Sequence, residues 1–128
     1  MEKCVINNPD RKRQIINFSG IMDGNLSATD IDGFIEYHDK LFILFEGKTK
    51  YGKMELGQRL ALERLVDNSK KPMVLFVFRH DEDATDEIIA SECVVDMIYY
   101  KGKWVTPTVM CKLGARVRRF IDYIEKQT

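Results

Sequence analysis

The chain has 128 residues, of which 45% are hydrophobic and 31% are charged. This composition argues against intrinsic disorder, and the length suits one domain over residues 1–128 with a single hydrophobic core. Twenty Lys and Arg balance twenty Asp and Glu, so the net charge of zero excludes a globally basic nucleic-acid binder. Binding to a polyanion would need a local basic surface.

The cysteine content and the apolar runs indicate the compartment. Cys4, Cys93 and Cys111 have no metal-type spacing, and their odd number is typical of a reducing environment. No apolar run reaches the roughly 18 residues that a membrane-spanning helix needs. The first residues lack the apolar segment of a signal peptide. We therefore expect a cytoplasmic protein that does not enter a membrane.

The hydrophobic pattern predicts helices and strands in the order α-β-β-α-β-β-α. The elements before the last helix are a helix over 9–18, strands over 29–37 and 41–48, a helix over 53–68, a buried strand over 73–79, and one or two strands over 88–100 followed by a turn into Trp104. Strands interleaved with helices predict an α/β fold, with helices packed on a mixed sheet.

The last element is predicted to be a helix that begins at Thr106 and Pro107. These residue types favour the N-cap and the first helical position, respectively. Apolar residues at helical spacing then predict the face that packs on the sheet. They are Val109, Met110, Leu113, Val117, Phe120, Ile121 and Ile124.

The first two strands carry acids where their apolar pattern predicts a core. If the loop between them is the three residues 38–40, Tyr37 pairs with Leu41. The same register places Asp32 directly opposite Glu46. Opposed residues share one face of a sheet, so the two carboxylates would lie side by side.

This register also places Asp30 opposite Lys48, so that four charged groups would converge on one side of the hairpin. A two-residue loop would instead place Asp32 opposite Gly47 and send the acids to opposite faces. A shift of one residue therefore decides whether the cluster exists.

Two carboxylates a few ångströms apart both stay ionised only if a cation lies between them. Oxygen ligands favour Mg²⁺ or Mn²⁺, which keep several waters. Lys48, two residues after the second acid, can orient or deprotonate such a water or stabilise charge on a phosphate. The pattern favours phosphodiester hydrolysis. The alternative is a hairpin with cross-strand salt bridges on a solvated face.

The helix over 53–68 has a polar residue inside its apolar stripe. Gln58 lies among Ala61, Leu62, Leu65 and Val66 at helical spacing. Burying an amide without hydrogen bonds is costly, so Gln58 must have partners. It is either a structural bridge to the backbone or a site residue that reaches the charged cluster.

Basic residues follow the second strand in the stretch "GKTKYGK". Lys50 and Lys53 flank Tyr51 and are candidates for binding a phosphate backbone. An ordinary solvated loop is the alternative. Trp104 is expected in the core or at a sheet edge, and base stacking is the less favoured alternative.

The stretches "TDIDG", "LFILFEGK" and "GQRLALERL" together resemble the motif of the PD-(D/E)XK nuclease superfamily. The motif has an Asp at a strand end, a hairpin, a Glu-x-Lys and then a helix with an inward Gln. The resemblance covers residues 29–66 and points to the RecB-like branch and to small nuclease-like proteins of phages and prophages. It implies the restriction-endonuclease-like fold, a mixed sheet flanked by helices, in agreement with the predicted element order.

The resemblance also implies site residues and a cofactor. The positions that match its catalytic residues are Asp32, Glu46, Lys48 and Gln58. Mg²⁺ or Mn²⁺ would be held by the two acids and the Gly47 carbonyl, and Asp30 is a further candidate ligand. The implied function is a metal-dependent nuclease acting on nucleic acid, with DNA expected. A homodimer is one way for so short a chain to grip a duplex. The alternative is a catalytically inactive protein of this fold that binds nucleic acid or protein.

Overall fold

The computed structural model describes residues 16–21, 24, 28–81 and 87–127. The elements in these ranges are β1 (Gly33–Tyr37), β2 (Leu41–Thr49), α1 (Leu56–Asp67), β3 (Met73–His80), a 3₁₀ turn (Ala90–Glu92), β4 (Val94–Tyr100), β5 (Lys103–Val105) and α2 (Leu113–Glu125). The predicted α/β class is confirmed. The helix predicted over 9–18 lies mostly outside the described residues, and residues 16–18 are not helical.

The strands lie side by side in chain order, β1-β2-β3-β4-β5. β2 and β3 run parallel, with α1 as the crossover between them, and every other neighbouring pair is antiparallel. The sheet is therefore mixed, as predicted, with β2 and β3 in its interior and β1 and β5 at its edges.

The hairpin between β1 and β2 has the predicted three-residue loop. Tyr37 pairs with Leu41, and the Lys40 N–H donates to the Tyr37 carbonyl at 2.8 Å. His38 and Asp39 adopt positive φ angles of 47° and 58°, the left-handed backbone that turns the chain here. The predicted register is thereby confirmed along the whole of β1.

The first strand is shorter than predicted. β1 begins at Gly33, so the expected pairing of Asp30 with Lys48 is wrong. The Asp32 carboxylate accepts the Gly47 N–H at 2.8 Å. A side chain thus takes the place of a backbone partner there and ends the pairing of the two strands.

Alternation along the strands separates the apolar residues into two faces. The α2 face packs under α2 and contains Leu41, Ile43, Val74, Phe76, Phe78, Val95 and Ile98. The α1 face packs under α1 and contains Leu44, Leu75, Val77 and Tyr99. The candidate site lies at one end of the α1 face.

The last helix begins at Leu113, so the start predicted at residues 106–107 is wrong. The Val95 N–H donates to the Cys111 carbonyl at 3.0 Å, and the Leu113 N–H donates to the Cys93 carbonyl at 2.8 Å. These bonds tie the chain to the start of β4 in an extended bridge. The helix begins only where this bridge ends.

The late start changes which apolar residues are buried. Val109 and Met110 precede α2 and are 76% and 81% exposed, so their assignment to the packed face is wrong. The rest of the predicted stripe packs on the α2 face, with Leu113, Val117, Phe120 and Ile124 buried and Ile121 partly buried. Of the helices within the described ranges, neither has the length and apolar content to cross a bilayer.

Candidate active site

Glu46 lies on the α1 face of β2, where the alternation continues from Leu44. Glu46 is buried, with 3% exposure. Oε1 lies 3.5 Å from the Lys48 Nζ, whereas Oε2 has no hydrogen-bond partner among the described residues. A buried carboxylate oxygen without a donor costs free energy. The unpartnered Glu46 Oε2 therefore lowers the stability of the fold.

Asp32, the residue directly before β1, lies close to Glu46. The pKa of Glu46 is raised, first by burial and second by the Asp32 charge, while Gln58 and Lys48 oppose the rise. The Gln58 amide and the Asp32 carboxylate are close enough to act on Glu46, yet neither completes a hydrogen bond to Oε2. Two adjacent acids of this kind favour a shared proton or a bound cation.

Lys48 and Gln58 complete the cluster. The Lys48 Nζ donates to the Gln58 Oε1 at 3.0 Å, and its side chain is only 19% exposed. Gln58, near the start of α1, thus contacts a site residue and not the backbone. Its amide orients the ammonium group beside the Glu46 carboxylate, which holds a proton donor next to the acid pair.

The donor set fits a hard divalent cation. Within the described part of the chain, no group of three or more His, Cys, Asp or Glu side chains is arranged to hold a metal ion. An ion here would take the carboxylates of Asp32 and Glu46, with the Gly47 carbonyl as the further predicted ligand. Mg²⁺ is commonly held by one or two carboxylates, with water and phosphate oxygens completing its shell. The unpartnered Glu46 oxygen would be one such ligand atom.

The remaining predicted residues lie outside the cluster. Asp30 is exposed and has no ion pair with Lys48, so its role as a ligand stays a prediction. Lys50 and Tyr51 are exposed, with the Lys50 Nζ 5.5 Å from the centre of the Tyr51 ring. Lys53 is also exposed but lines a cavity beside the cluster. Of the two lysines in this loop, Lys53 therefore faces the cavity and Lys50 does not line it.

Sequence reasoning missed the ion pair that holds this loop. The Arg79 Nη2 lies 2.9 Å from the Asp96 Oδ2. The Arg79 Nη1 donates to the Thr49 carbonyl at 2.9 Å and to the Gly52 carbonyl. One guanidinium thus fixes the loop after β2, including Lys50, against β3 and β4.

A β-bulge places Asp96 for this contact. The pairing changes from Val77 with Met97 to Phe78 with Val95, which leaves Asp96 as the extra residue of β4. Consecutive residues, Asp96 and Met97, consequently line the same cavity. The available signal was one acid within the apolar run "VVDMIYY", but only pairing shows where its side chain goes.

The cavity beside Lys48 has a volume of about 240 Å³. Its lining combines apolar and charged side chains from four strands, α1 and the loop before it. They are Lys48, Lys53, Met54, Arg59, Val77, Arg79, Asp96, Met97 and Trp104. It is therefore continuous with the carboxylate cluster through Lys48.

The structure brings together four predicted site residues on the α1 face: Asp32, Glu46, Lys48 and Gln58. Comparisons with protein-family models, with curated proteins and with solved structures find no match to this chain. The resemblance to the PD-(D/E)XK superfamily therefore stays a prediction from the sequence motif.

Proposed function

We propose that the protein is a metal-dependent nuclease of the restriction-endonuclease-like type, which hydrolyses phosphodiester bonds in nucleic acid, with DNA as the substrate. The unpartnered Oε2 of buried Glu46 beside Asp32 carries this proposal. A purely structural strand has no use for a buried acid that repels a second acid. A site that binds a cation does.

Each residue has a role that follows from its position. Asp32 and Glu46 would hold Mg²⁺ or Mn²⁺, with the Gly47 carbonyl alongside. When bound, the ion supplies a Lewis acid and an activated water. The Lys48 Nζ lies 3.5 Å from the Glu46 Oε1 and is placed to stabilise charge on a phosphate. Gln58 fixes the direction of that ammonium group.

The surroundings favour a polyanionic substrate despite the net charge of zero. Lys48 and Lys53 face the cavity, and Lys50 lies on the outside of the same loop. These lysines form a local basic surface, which a chain with a net charge of zero needs in order to bind a polyanion. We propose that these lysines, with Tyr51, contact the substrate backbone.

The test replaces Lys48 by Met, which keeps the aliphatic stem and removes the charge. With Mg²⁺ or Mn²⁺ and single-stranded, duplex or branched DNA, Lys48→Met should lower the hydrolysis rate roughly 10²- to 10³-fold, as expected for loss of one group that stabilises transition-state charge. Lys70→Met is the matched control, because Lys70 is exposed near the opposite end of β3. Hydrolysis by Lys48→Met at the wild-type rate would contradict the assignment.

One observation favours the second candidate, a non-catalytic protein of this fold that binds nucleic acid or protein. Because the pKa of Glu46 is raised, Glu46 can keep a proton and lie beside Asp32 without a metal. Calorimetric titration with Mn²⁺ separates the candidates. Heat of binding that Asp32→Asn abolishes supports the nuclease. No Mn²⁺ binding, with nucleic-acid binding unchanged in Asp32→Asn, supports the binding module.

A further inference from the structure

The cavity beside Lys48 is lined by neither Asp32 nor Glu46. Its walls include Met54, Val77 and Met97, which present apolar surface next to a cluster that is otherwise charged. An anionic phosphate alone would not need such walls. The cavity therefore suits a ligand that joins a flat apolar group to an anion.

Three of the cations that line the cavity already have an acidic partner, and one of them, Lys48, lies 3.5 Å from the Glu46 Oε1. The Arg59 Nε lies 3.0 Å from the Glu63 Oε2, and Arg79 is paired with Asp96. Lys53, by contrast, is exposed and makes no ion pair within the described residues. A phosphate at the mouth of the cavity would meet its ammonium group first.

Trp104 forms a fixed aromatic wall. Its Nε1–H donates to Glu63, and the Arg59 guanidinium lies 5.6 Å from its ring centre. The Tyr99 ring lies 5.0 Å away on a tilted plane. An indole held on several sides contacts a ligand without losing rotamer freedom on binding.

We propose that this cavity binds one unpaired nucleotide of the substrate, with the base against Trp104 and the apolar wall and the phosphate at Lys53. The inference rests on the proposed function and narrows its substrate to nucleic acid with a single-stranded end or segment. A volume of 240 Å³ corresponds to roughly eight waters, which accommodates a base with part of its sugar. A base inside a duplex is stacked and paired and must leave the stack to enter.

Trp104 is the only tryptophan in the sequence, so its fluorescence reports on this cavity alone. Full-length protein in EDTA is titrated with thymidine 5′-monophosphate. We expect saturable quenching, and no quenching by deoxyribose 5-phosphate, which lacks the base. Absence of quenching by the nucleotide, or equal quenching by inorganic phosphate, would overturn the inference.

A matched pair of lysines locates the phosphate. Lys53→Ala should weaken thymidine 5′-monophosphate about fivefold, the effect of one exposed charge contact. Lys70→Ala should leave the dissociation constant within about twofold, because Lys70 is exposed near the opposite end of β3 and does not line the cavity. Unfolding curves of both variants confirm that each is folded. Equal effects of the two substitutions would contradict the assigned position.

The substrate class is tested by comparing a short oligo(dT) with a blunt hairpin duplex, again in EDTA. Quenching by the oligonucleotide at lower concentration than by the hairpin supports an unpaired nucleotide, and equal quenching contradicts it. None of these measurements needs hydrolysis or metal. If the nucleotide quenches the fluorescence and Lys48→Met cleaves at the wild-type rate, only the catalytic assignment is refuted. If Lys48→Met loses cleavage but the nucleotide does not quench the fluorescence, only the nucleotide cavity is refuted.

Discussion

The two faces of the sheet are made by the same strands but are used differently. On the α2 face, strand residues from Leu41 to Ile98 and four residues of α2 form one apolar cluster. On the α1 face, α1 contributes only Leu62 and Val66 to the buried set. Beyond this smaller cluster the face turns polar, with Glu46 and the ion pair of Arg79.

The two faces of the sheet contribute differently to the stability of the fold. The α2 face contributes apolar burial, the main favourable term in folding. The α1 face can then contain groups that lower stability, such as an unpartnered buried oxygen, because the other face offsets their cost. Functional sites are commonly less stable than their surroundings for this reason.

The strongest way to break the α2 face is Phe76→Ala. Phe76 is fully buried, and its ring centre lies 6.0 Å from that of Phe120 and 6.2 Å from that of Phe45. Truncation should lower the free energy of unfolding by about 3–5 kcal/mol, measured by urea denaturation. Phe34→Ala, at a residue 56% exposed on β1, should cost about 1 kcal/mol or less. Similar losses from both would contradict the comparison.

On the α1 face, Arg79→Met should cost about 2 kcal/mol, because it removes several charged hydrogen bonds and leaves Asp96 without its partner. Adding Asp96→Asn should restore about 1 kcal/mol, since the remaining group is then neutral. Urea denaturation measures both changes. Faster proteolysis of the loop at Thr49–Gly52 in Arg79→Met is the second readout. Wild-type stability in the single variant would show that the pair does not hold the loop.

Glu46→Gln should raise stability, by about 1 kcal/mol at neutral pH without metal, because it removes the unpartnered buried carboxylate oxygen. The folded-state pKa of Glu46 is raised, so the folded protein keeps this proton to higher pH than the unfolded chain. Wild-type stability therefore falls as pH rises above about 4.3, the ordinary glutamate pKa, until the folded-state pKa is passed. The variant lacks this fall.

Thermal unfolding with and without Mn²⁺ checks the same substitution. Wild-type protein should gain melting temperature with Mn²⁺, and both Glu46→Gln and Asp32→Asn should lose that gain. Only Glu46→Gln should also be more stable without metal, because Asp32 is exposed. A Glu46→Gln variant less stable than wild type without metal would be evidence against a costly buried acid.

The smallest effect is expected from Tyr99→Phe. The Tyr99 hydroxyl donates to the Asp67 carboxylate at 2.9 Å, and its loss should cost about 1 kcal/mol at pH 7. Burial, followed by this bond, raises the pKa of Tyr99 to about 12. An unfolded tyrosine ionises near pH 10, so wild-type stability falls between about pH 10 and 12. The advantage over the variant should narrow there in urea denaturation, with exposed Tyr123→Phe as control, and a constant difference would contradict the shift.

Local rules were sufficient for part of the site. The hairpin register follows from a three-residue loop, and it places Asp32 beside Glu46 because side chains alternate with period two. The inward position of Gln58 follows from helical spacing. Both are short-range geometric consequences of the chain.

Helical spacing gave less certain guidance where the helix is only half covered. Helical spacing assigns Leu65 to the apolar stripe of α1, yet it is 43% exposed. Leu62 and Val66 of the same stripe are buried. The pattern identifies the apolar side of a helix, but the width that is covered depends on the strands beneath it.

The amino-acid order by itself determined the α/β class, the register that a three-residue hairpin loop implies, and the α2 stripe from Leu113 onward, because each depends on residues close in sequence. Only the tertiary structure decided where β1 and α2 begin, since the bond from the Gly47 N–H to the Asp32 carboxylate and an extended bridge to β4 set those limits. It alone joined Arg79 to Asp96 and formed the cavity at Trp104. Those contacts join distant segments through strand pairing and a bulge, which no local pattern encodes.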